Sequence, residues 1–237
     1  MKKYAITYGN DNYKIQREFF KETAVKSTFF DEVRIFNADD INSQFAIKTG
    51  GRFTMKKGGG YWLWKPYLIK KMFDEMNNND LLFYFDAGSM VNSKGKSRFE
   101  DYVEMLFDSE TGTIDFELPY REYQYTLQET FNYFKSPENI INTNQLMSTI
   151  LIFRKCAHSS QLVNTWYDVA CNNPVLFTDE FEDLPQCEAF VAHRHDQSIF
   201  SVIRKQYGAN ILTDETWFPE FVRDGYNYPL WATRFRS

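Results

Sequence analysis

The sequence predicts an α/β fold: a single domain with a mixed, mostly parallel central sheet flanked by helices. A strand, a helix and a second strand follow one another in Tyr4–Tyr8, Tyr13–Ala24 and Val33–Phe36, an order typical of parallel sheets with crossover helices. The segment Leu81–Phe85 is apolar on both faces, as expected of a central strand covered on both sides. The length of 237 residues suits one large domain or two small ones, and the absence of a linker pattern favours one.

The later elements alternate in the same way. A helix is expected to begin at Pro66, and further helices are expected over Arg98–Phe107, Ser159–Ala170 and Asp196–Tyr207. Strands are expected over Ile114–Leu118 and Ser148–Phe153. Loops are expected over the basic, glycine-rich Arg52–Gly60 and the acidic Thr178–Glu188. Residues 119–147 show no clean period, so they give no prediction of secondary structure.

Composition argues against several functional classes. With 18% aromatic and 43% hydrophobic residues, the chain is not disordered as a whole. The net charge of −5 argues against a nucleic-acid partner, because neutralising phosphates normally needs a basic surface. No apolar run is long enough to span a bilayer. The cysteines Cys156, Cys171 and Cys187 match neither a zinc pattern nor a disulfide framework, which predicts a reducing compartment, the cytoplasm.

Asp86 is the first candidate functional residue. It directly follows the apolar segment Leu81–Phe85, and ligands of open α/β sheets bind at the carboxyl ends of the strands. An aspartate here also serves as an ordinary turn or capping residue. Gly88 favours the functional interpretation, because a residue without a side chain allows a ligand to approach the backbone closely.

Lys65 is the second candidate, within the segment Gly58–Tyr67. The glycines of this segment match neither the Walker nor the Rossmann spacing, and its tryptophans are more often core residues. A lysine at a helix start is unfavourable unless an anion compensates it, so we expect an anion near Lys65.

Two further segments carry candidates. In His193–Ser198, two histidines stand beside Asp196, which suggests metal or substrate binding, or else a simple helix cap. Near the end of the sequence, Arg234 and Arg236 lie on one side of an extended chain and either clamp a phosphate or remain solvated.

Taken in order, these segments resemble the nucleotide-sugar glycosyltransferases of the GT-A fold, nearest in layout to the glycogenin-like galactosyltransferase group. The matching segments are Thr7–Tyr13, Lys65, Leu82–Gly88, Ser148–Arg154 and His195–Ser198. The resemblance covers about Tyr4–Gly208 and rests on the order of short motifs. It implies one domain over 1–237, with a nucleotide-binding half of about 1–110 and an acceptor-binding half of about 111–237.

The resemblance also implies roles for individual residues. Nucleoside and donor contacts would come from Thr7, Tyr8, Gly9, Asn10, Tyr13, Lys65, Ala87, Gly88 and Arg234. Catalytic roles would fall to Asp86, Asp196, Gln197 and Lys65. The donor would be a nucleotide-diphosphate sugar, first of all a UDP-sugar, and the acceptor a glycan or another hydroxyl compound. If the enzyme inverts the anomeric centre, the base would be Asp196, Asp115 or Glu117.

The sequence departs from the family at its metal motif. The D-x-D pattern is Asp86-Ala87-Gly88 here, so the second carboxylate is missing. One interpretation keeps Mn²⁺ or Mg²⁺, held by Asp86 with His193 or His195. In the other interpretation, Lys65 and the terminal arginines neutralise the charge of the diphosphate without a metal ion.

Two other functions stay open at this stage. A degenerate transferase-like module would bind nucleotide or glycan without turnover. A sugar nucleotidyltransferase would need a basic glycine-rich loop after the first strand, and Gly9-Asn10-Asp11 does not provide one. Lys94, Lys96 and Arg98 suggest a peripheral contact with an anionic membrane surface, although a solvated face is the simpler interpretation.

Overall fold

The computed structural model describes residues 1–180 and 184–235 of the chain. Strands β1 to β9 are Lys3–Tyr8, Glu32–Phe36, Leu81–Asp86, Met90–Val91, Thr113–Arg121, Asn144–Leu146, Ile150–Arg154, Ile211–Thr213 and Leu230–Trp231. Helices α1 to α11 are Lys14–Ser27, Ser43–Lys48, Gly58–Tyr61, Trp64–Glu75, Lys96–Asp108, Glu122–Tyr125, Gln128–Phe134, Glu138–Ile141, Ala157–Asn172, His195–Tyr207 and Phe221–Asp224. Short 3-10 turns cover Asp11–Tyr13, Ala38–Asp40, Arg52–Thr54, Ser93–Gly95 and Pro174–Phe177.

Within the described ranges, seven strands form one mixed sheet in the order β2-β1-β3-β7-β5-β6, with β8 beside β5. The pairs β1–β2, β1–β3 and β5–β8 are parallel, whereas β3–β7, β7–β5 and β5–β6 are antiparallel. Strands β4 and β9 pair separately. The sheet and its flanking helices confirm the predicted α/β fold class.

The strand directions bring three chain segments to one edge of the sheet. Tyr8, the last residue of β1, is in register with Asp86, the last residue of β3. Because β7 runs antiparallel to β3, it is the start of β7 that lies at this edge, and the Asp86 N–H donates to the Thr149 carbonyl at 2.8 Å. The sequence pattern predicts β7 as a buried strand, but an apolar run does not reveal strand direction.

The core occupies both faces of the sheet, as the pattern of β3 predicts. Leu82 and Tyr84 point into an apolar cluster with α4, α9 and α10. Phe83 and Phe85 point into a second cluster with α1 and α5. Because the strand is covered on both faces, successive side chains are all removed from water, which explains its continuous apolar sequence.

Helix α4 begins at Trp64, two residues earlier than expected, so Pro66 is its third residue and not its first. This position tolerates proline because the first N–H groups of a helix have no partner within the helix. The end of α10 at Tyr207, just before Gly208, is where the sequence predicts it.

The glycine-rich segment is more ordered than a simple loop. It contains a 3-10 turn and the short turn α3, in which Gly59 and Gly60 have positive φ. At Gly60, with φ of +95°, a Cβ would lie 2.5 Å from the Phe53 carbonyl oxygen, so only glycine fits. Residues 119–147, which gave no prediction, form α6, α7, α8 and β6.

No helix in the described part of the chain has both the length and the apolar character needed to cross a bilayer. Cys156, Cys171 and Cys187 are free thiols.

Candidate active site

A cleft of about 310 Å³ lies where the end of β3 meets the starts of β7, α4 and α10. It brings together residues that the sequence singles out separately: Lys65, Asp86, His193, His195, Asp196, Gln197 and Arg234. A larger concavity follows one face of α1, but the side chains of that single helix line it, so it does not bring distant segments of the chain together.

Lys65 occupies the centre of the cluster. Its Nζ lies 2.6 Å from Asp196 Oδ2, 3.2 Å from Asp86 Oδ1 and 3.0 Å from the Ser148 carbonyl oxygen, which accepts a hydrogen bond from it. The side chain of Lys65 is only 2% exposed. The anion expected at this helix start is therefore supplied by the protein's own carboxylates. Lys65 holds these carboxylates together. The contact with the donor that the family resemblance implies for Lys65 stays a prediction.

The charges of the cluster are unequal, with two carboxylates facing one ammonium. Burial raises the pKa of Asp196 to about 6, an effect that Lys65 only partly opposes and Asp86 reinforces. For Lys65, burial alone would lower the pKa, but Asp196 and Asp86 outweigh it and the pKa is raised. Lys65 therefore stays protonated, and Asp196 takes up the proton when the pH falls.

Asp86 is the more accessible carboxylate, with a side chain 35% exposed. Its Oδ1 accepts a hydrogen bond from the Tyr84 hydroxyl at 2.6 Å, in addition to the contact with Lys65. Burial, and next the charge of Asp86, raise the pKa of Tyr84 well above its ordinary value, so Tyr84 stays a hydrogen-bond donor. These contacts fix the carboxylate at the mouth of the cleft.

Gln197 follows Asp196 in α10 and lines the same cleft. Its Nε2 donates to Gln145 Oε1 at 2.8 Å, and its Oε1 accepts from the Ser148 N–H at 3.3 Å. The amide is therefore held at both ends beside the carboxylate.

The two histidines are buried and engaged with the backbone. The Nδ1 of His193 accepts from a backbone N–H at the start of α7, and its Nε2 lies 2.9 Å from the Leu176 carbonyl oxygen. Burial lowers the pKa of His193 to about 3. The Nδ1 of His195 lies 2.8 Å from the Phe177 carbonyl oxygen, and its Nε2 lies 3.9 Å from Asp179. Both rings serve to pack α10 against the 174–180 segment.

Among the described residues, the side chains expected to hold a divalent cation are not grouped as a set of metal ligands. In residues 1–180 and 184–235, no three His, Cys, Asp or Glu side chains are grouped to hold a metal ion. The ligand set expected from Asp86, His193 and His195 is thus not assembled. The cation beside Asp86 is the ammonium of Lys65.

Gly88 stands where the D-x-D pattern has its second carboxylate, and the chain itself packs against it. The Gly88 carbonyl accepts from the Phe235 N–H at 2.9 Å and from the Thr233 hydroxyl at 2.6 Å. A Cβ on Gly88 would lie 3.1 Å from both the nitrogen and the oxygen of Phe235. The close approach that Gly88 permits is therefore made by the 233–235 backbone and not by a ligand.

Arg234 lies between these two anchored residues. It is exposed, has a φ of +51° and lines the cleft. Arg236, expected to act with it, lies outside the described residues, as does part of the acidic stretch Thr178–Glu188.

The residues expected to hold the nucleoside lie at the same sheet edge, beside the cleft: Thr7, Tyr8, Gly9, Asn10 and Tyr13. Thr7 and Tyr8 are buried, and Tyr8 stacks on Trp64 with ring centroids 4.0 Å apart. Asn10 and Tyr13 are accessible. Ala87, which stands at the middle position of the D-x-D pattern, is buried. Contacts between these residues and a nucleoside stay a prediction.

Of the three candidate bases, one lines the cleft. Asp115 in β5 forms a buried ion pair with Arg204 at 2.9 Å and accepts from the Thr113 hydroxyl at 2.6 Å, so it stabilises the fold. Glu117 lies in β5 between β6 and β8. Only Asp196 belongs to the cleft.

Sequence reasoning missed two residues near the site, Gln145 and Arg194. The Arg194 guanidinium lies over the rings of Tyr120 and Tyr125, 4.1 and 4.0 Å from their centroids, and lines the cleft. The sequence around Gln145 carries no local signal, and the pattern of His193–Ser198 gives Arg194 no role of its own, because the partners of both residues come from other elements.

No family model matches the chain, and no curated protein sequence matches it. Solved structures do match it. The glycosyltransferase GlyE of Streptococcus pneumoniae TIGR4 is 14% identical with a TM-score of 0.46, and the match covers 91% of this chain and 46% of the GlyE chain. Mouse xyloside xylosyltransferase 1 is 14% identical with a TM-score of 0.43, covering 91% and 86% respectively. The galactosyltransferase LgtC, in complex with donor and acceptor sugar analogues, is 12% identical with a TM-score of 0.44, covering 94% and 83%.

These matched proteins are glycosyltransferases, the class that the sequence resembles. The chain spans about half the length of GlyE. Because the identities and TM-scores are low, we base the functional assignment on the residues of the cleft.

Proposed function

We propose that this chain is a glycosyltransferase that moves a sugar from a nucleotide-diphosphate sugar, first of all a UDP-sugar, to a hydroxyl group of a glycan or another acceptor. The observation that carries the proposal is the cluster around Lys65. One buried ammonium joins Asp86 from β3 to Asp196 from α10, and the Gln197 amide lies in the same cleft.

Sugar transfer develops charge of opposite sign at two places. The bond between the anomeric carbon and the diphosphate breaks, so negative charge grows on the leaving group and positive charge on the sugar ring. Arg234 on the cleft wall is suited to the leaving diphosphate, since a guanidinium can donate two parallel hydrogen bonds to phosphate oxygens. The net negative cluster of Asp86, Asp196 and Lys65, with the oxygen of Gln197, is suited to the sugar.

The acceptor hydroxyl loses its proton as its oxygen bonds to the anomeric carbon. In an inverting reaction Asp196 takes this proton, and a pKa of about 6 suits a base working near neutral pH. In a retaining reaction the leaving phosphate takes the proton, and Asp196 stabilises the sugar ring. Holding the acceptor within attack distance is the second task of the cleft.

One alternative has a specific observation in its favour. The chain packs against Gly88 where a second metal carboxylate would stand, which is also what a non-catalytic module that binds nucleotide or glycan would show. A measurement of turnover distinguishes the glycosyltransferase from the non-catalytic module.

The first experiment is thermal unfolding with UDP, GDP, CDP and TDP, each with and without Mn²⁺. A ligand that binds only the native state raises the unfolding temperature, so the screen identifies the nucleotide. Hydrolysis of the matching nucleotide sugars is then measured.

We expect Asp86→Asn and Asp196→Asn to suppress hydrolysis while both variants stay folded. Asp74→Asn is the matched control, because Asp74 is exposed and pairs with Lys70 on the surface. Binding without turnover for every nucleotide sugar would favour the non-catalytic module. Normal turnover in both variants would show that neither Asp86 nor Asp196 takes part in the reaction, and would contradict the proposed site.

A further inference from the structure

A buried chain of polar side chains lies behind Gln197. Gln145, in β6, stands between Gln197 and Glu122, the first residue of α6. Both Gln145 and Glu122 are fully buried, so their hydrogen bonds are made within the protein.

The surroundings of Gln145 determine which way its amide points. Its Nε2 lies 3.2 Å from Glu122 Oε2, 3.3 Å from the Tyr125 carbonyl oxygen, 3.0 Å from Thr126 Oγ1 and 3.2 Å from Ser198 Oγ. The Glu122 carboxylate and the Tyr125 carbonyl can only accept hydrogen bonds. The amide nitrogen must therefore occupy this end, and the oxygen of Gln145 faces the other way.

The orientation of Gln145 is passed on to Gln197. Gln145 Oε1 can only accept, so the atom of Gln197 that lies 2.8 Å from it must be the amide nitrogen. At the opposite end, the Ser148 N–H can only donate, so the atom that faces it at 3.3 Å must be the oxygen of Gln197. Both neighbours require the same orientation.

Glu122 is itself held in place. Lys205 donates to its Oε1 at 2.7 Å, Ser201 donates to the same oxygen, and Thr126 donates to its Oε2 at 2.7 Å. The start of the chain of hydrogen bonds is thus fixed by groups from α10 and from the end of α6.

We propose that Gln145, oriented by Glu122, is a positioning residue that keeps the carbonyl oxygen of Gln197, and not its amino group, on the side of Ser148 and the cleft. This inference rests on the proposed function, since an oxygen stabilises positive charge on the sugar whereas an amino group would oppose it. Without Gln145, only the 3.3 Å hydrogen bond from the Ser148 N–H still favours this orientation of Gln197, so the opposite orientation becomes easier to reach.

The test compares Gln145→Met with Thr126→Val. Gln145→Met keeps the length of the side chain and removes both hydrogen-bonding groups. Thr126→Val removes a buried hydroxyl from the same network. Glu122 is still held by Lys205 and Ser201, and Gln145 still donates to Glu122 and the Tyr125 carbonyl, so this variant controls for loss of stability. Unfolding temperatures are measured for both variants.

The first readout does not depend on turnover. Hydrogen exchange of the Gln197 side-chain amide is followed by NMR on selectively labelled glutamine, with the signal assigned by its absence in Gln197→Glu. We expect Gln145→Met to accelerate this exchange and Thr126→Val to leave it unchanged. Equal exchange in the wild type and Gln145→Met would overturn the positioning role.

The second readout is kinetic. We expect Gln145→Met to lower kcat by about 10- to 100-fold, as misplacement of a reacting group does, with little change in donor affinity. Added to Gln197→Glu, it should cost no further activity, because a carboxylate offers an oxygen in either orientation. An equal loss in both backgrounds would overturn the inference. If the wild type turns over no nucleotide sugar, the proposed function fails, and the exchange experiment still decides the orientation.

Discussion

The backbone N–H of Phe235 donates to the carbonyl oxygen of Gly88 at 2.9 Å, and this contact places Arg234 on the wall of the cleft. The same contact has two consequences at the position where the D-x-D pattern has its second carboxylate. It takes the space of a second carboxylate, and it brings a positive charge from the protein to the site.

We expect Gly88→Ala to destabilise the protein by about 1–3 kcal/mol, the usual cost of adding a methyl group to a packed site. The Cβ would lie 3.1 Å from atoms of Phe235 that belong to the backbone and cannot rotate away. Denaturant unfolding measures the change. In a chain shortened after Thr233 the same substitution should cost clearly less, and an equal cost would show that the 234–235 backbone is not what resists the side chain.

We expect Arg234→Ala to lower kcat for donor hydrolysis by about 10²-fold, a typical loss for one group that stabilises developing negative charge. Arg223→Ala is the control for Arg234→Ala, since Arg223 is exposed and pairs with its neighbour Asp224.

Activity of the wild type should survive removal of divalent ions by EDTA, because no metal enters the proposed step. Loss of activity in EDTA with full recovery in Mn²⁺ would contradict this assignment.

We expect Lys65→Met to destabilise the protein by about 3–5 kcal/mol, because it leaves the buried Asp196 next to Asp86 without a cation. Adding Asp196→Asn should recover part of this loss by removing one of the two charges. Lys70, in the same helix, is partly exposed and pairs with Asp74 at the surface, so Lys70→Met should change stability by about 1 kcal/mol or less. Urea unfolding compares the variants, and additive effects of Lys65→Met and Asp196→Asn would show that the two residues do not interact.

The pH dependence of stability should carry the signature of Asp196. Its pKa rises from 3.8 to about 6 on folding, mainly through burial. Between these pH values the native state binds more protons than the unfolded state, so the contribution of Asp196 to the free energy of unfolding falls as the pH rises. Above about pH 6 it is constant.

Asp196→Asn removes this dependence. Across that range its stability relative to the wild type should therefore improve with increasing pH, by an amount on the order of 3 kcal/mol. Unfolding curves at a series of pH values measure the difference. Parallel pH profiles for the two proteins would mean that Asp196 titrates alike in the folded and unfolded states.

The sequence located the core of the candidate site because each contributing element carries a local signal. Asp86 ends an apolar strand, Lys65 stands in the first turn of a helix, and Asp196 stands at the start of a periodic helix. Ligands of open α/β sheets bind at the carboxyl ends of the strands, and the family resemblance implied that these three residues share one site there.

The remaining features depend on contacts between distant segments. The pattern His193-Arg194-His195 suits a metal site as well as backbone contacts, and only the positions of the Leu176 and Phe177 carbonyls decide between them. Gly88 is visible in the sequence as a missing carboxylate, but the chain that packs against it is not. The orientation of Gln197 depends on Gln145, which lies in an element that the sequence pattern does not predict.

Trp62 stacks on His195 at the edge of the cleft, with ring centroids 5.2 Å apart and planes inclined by 19°. Indole emission is sensitive to the polarity of its surroundings and to protonation of an adjacent imidazole. The protein therefore has an intrinsic optical probe at the mouth of its binding region. The fluorescence difference between the wild type and Trp62→Phe can report ligand entry without any attached dye.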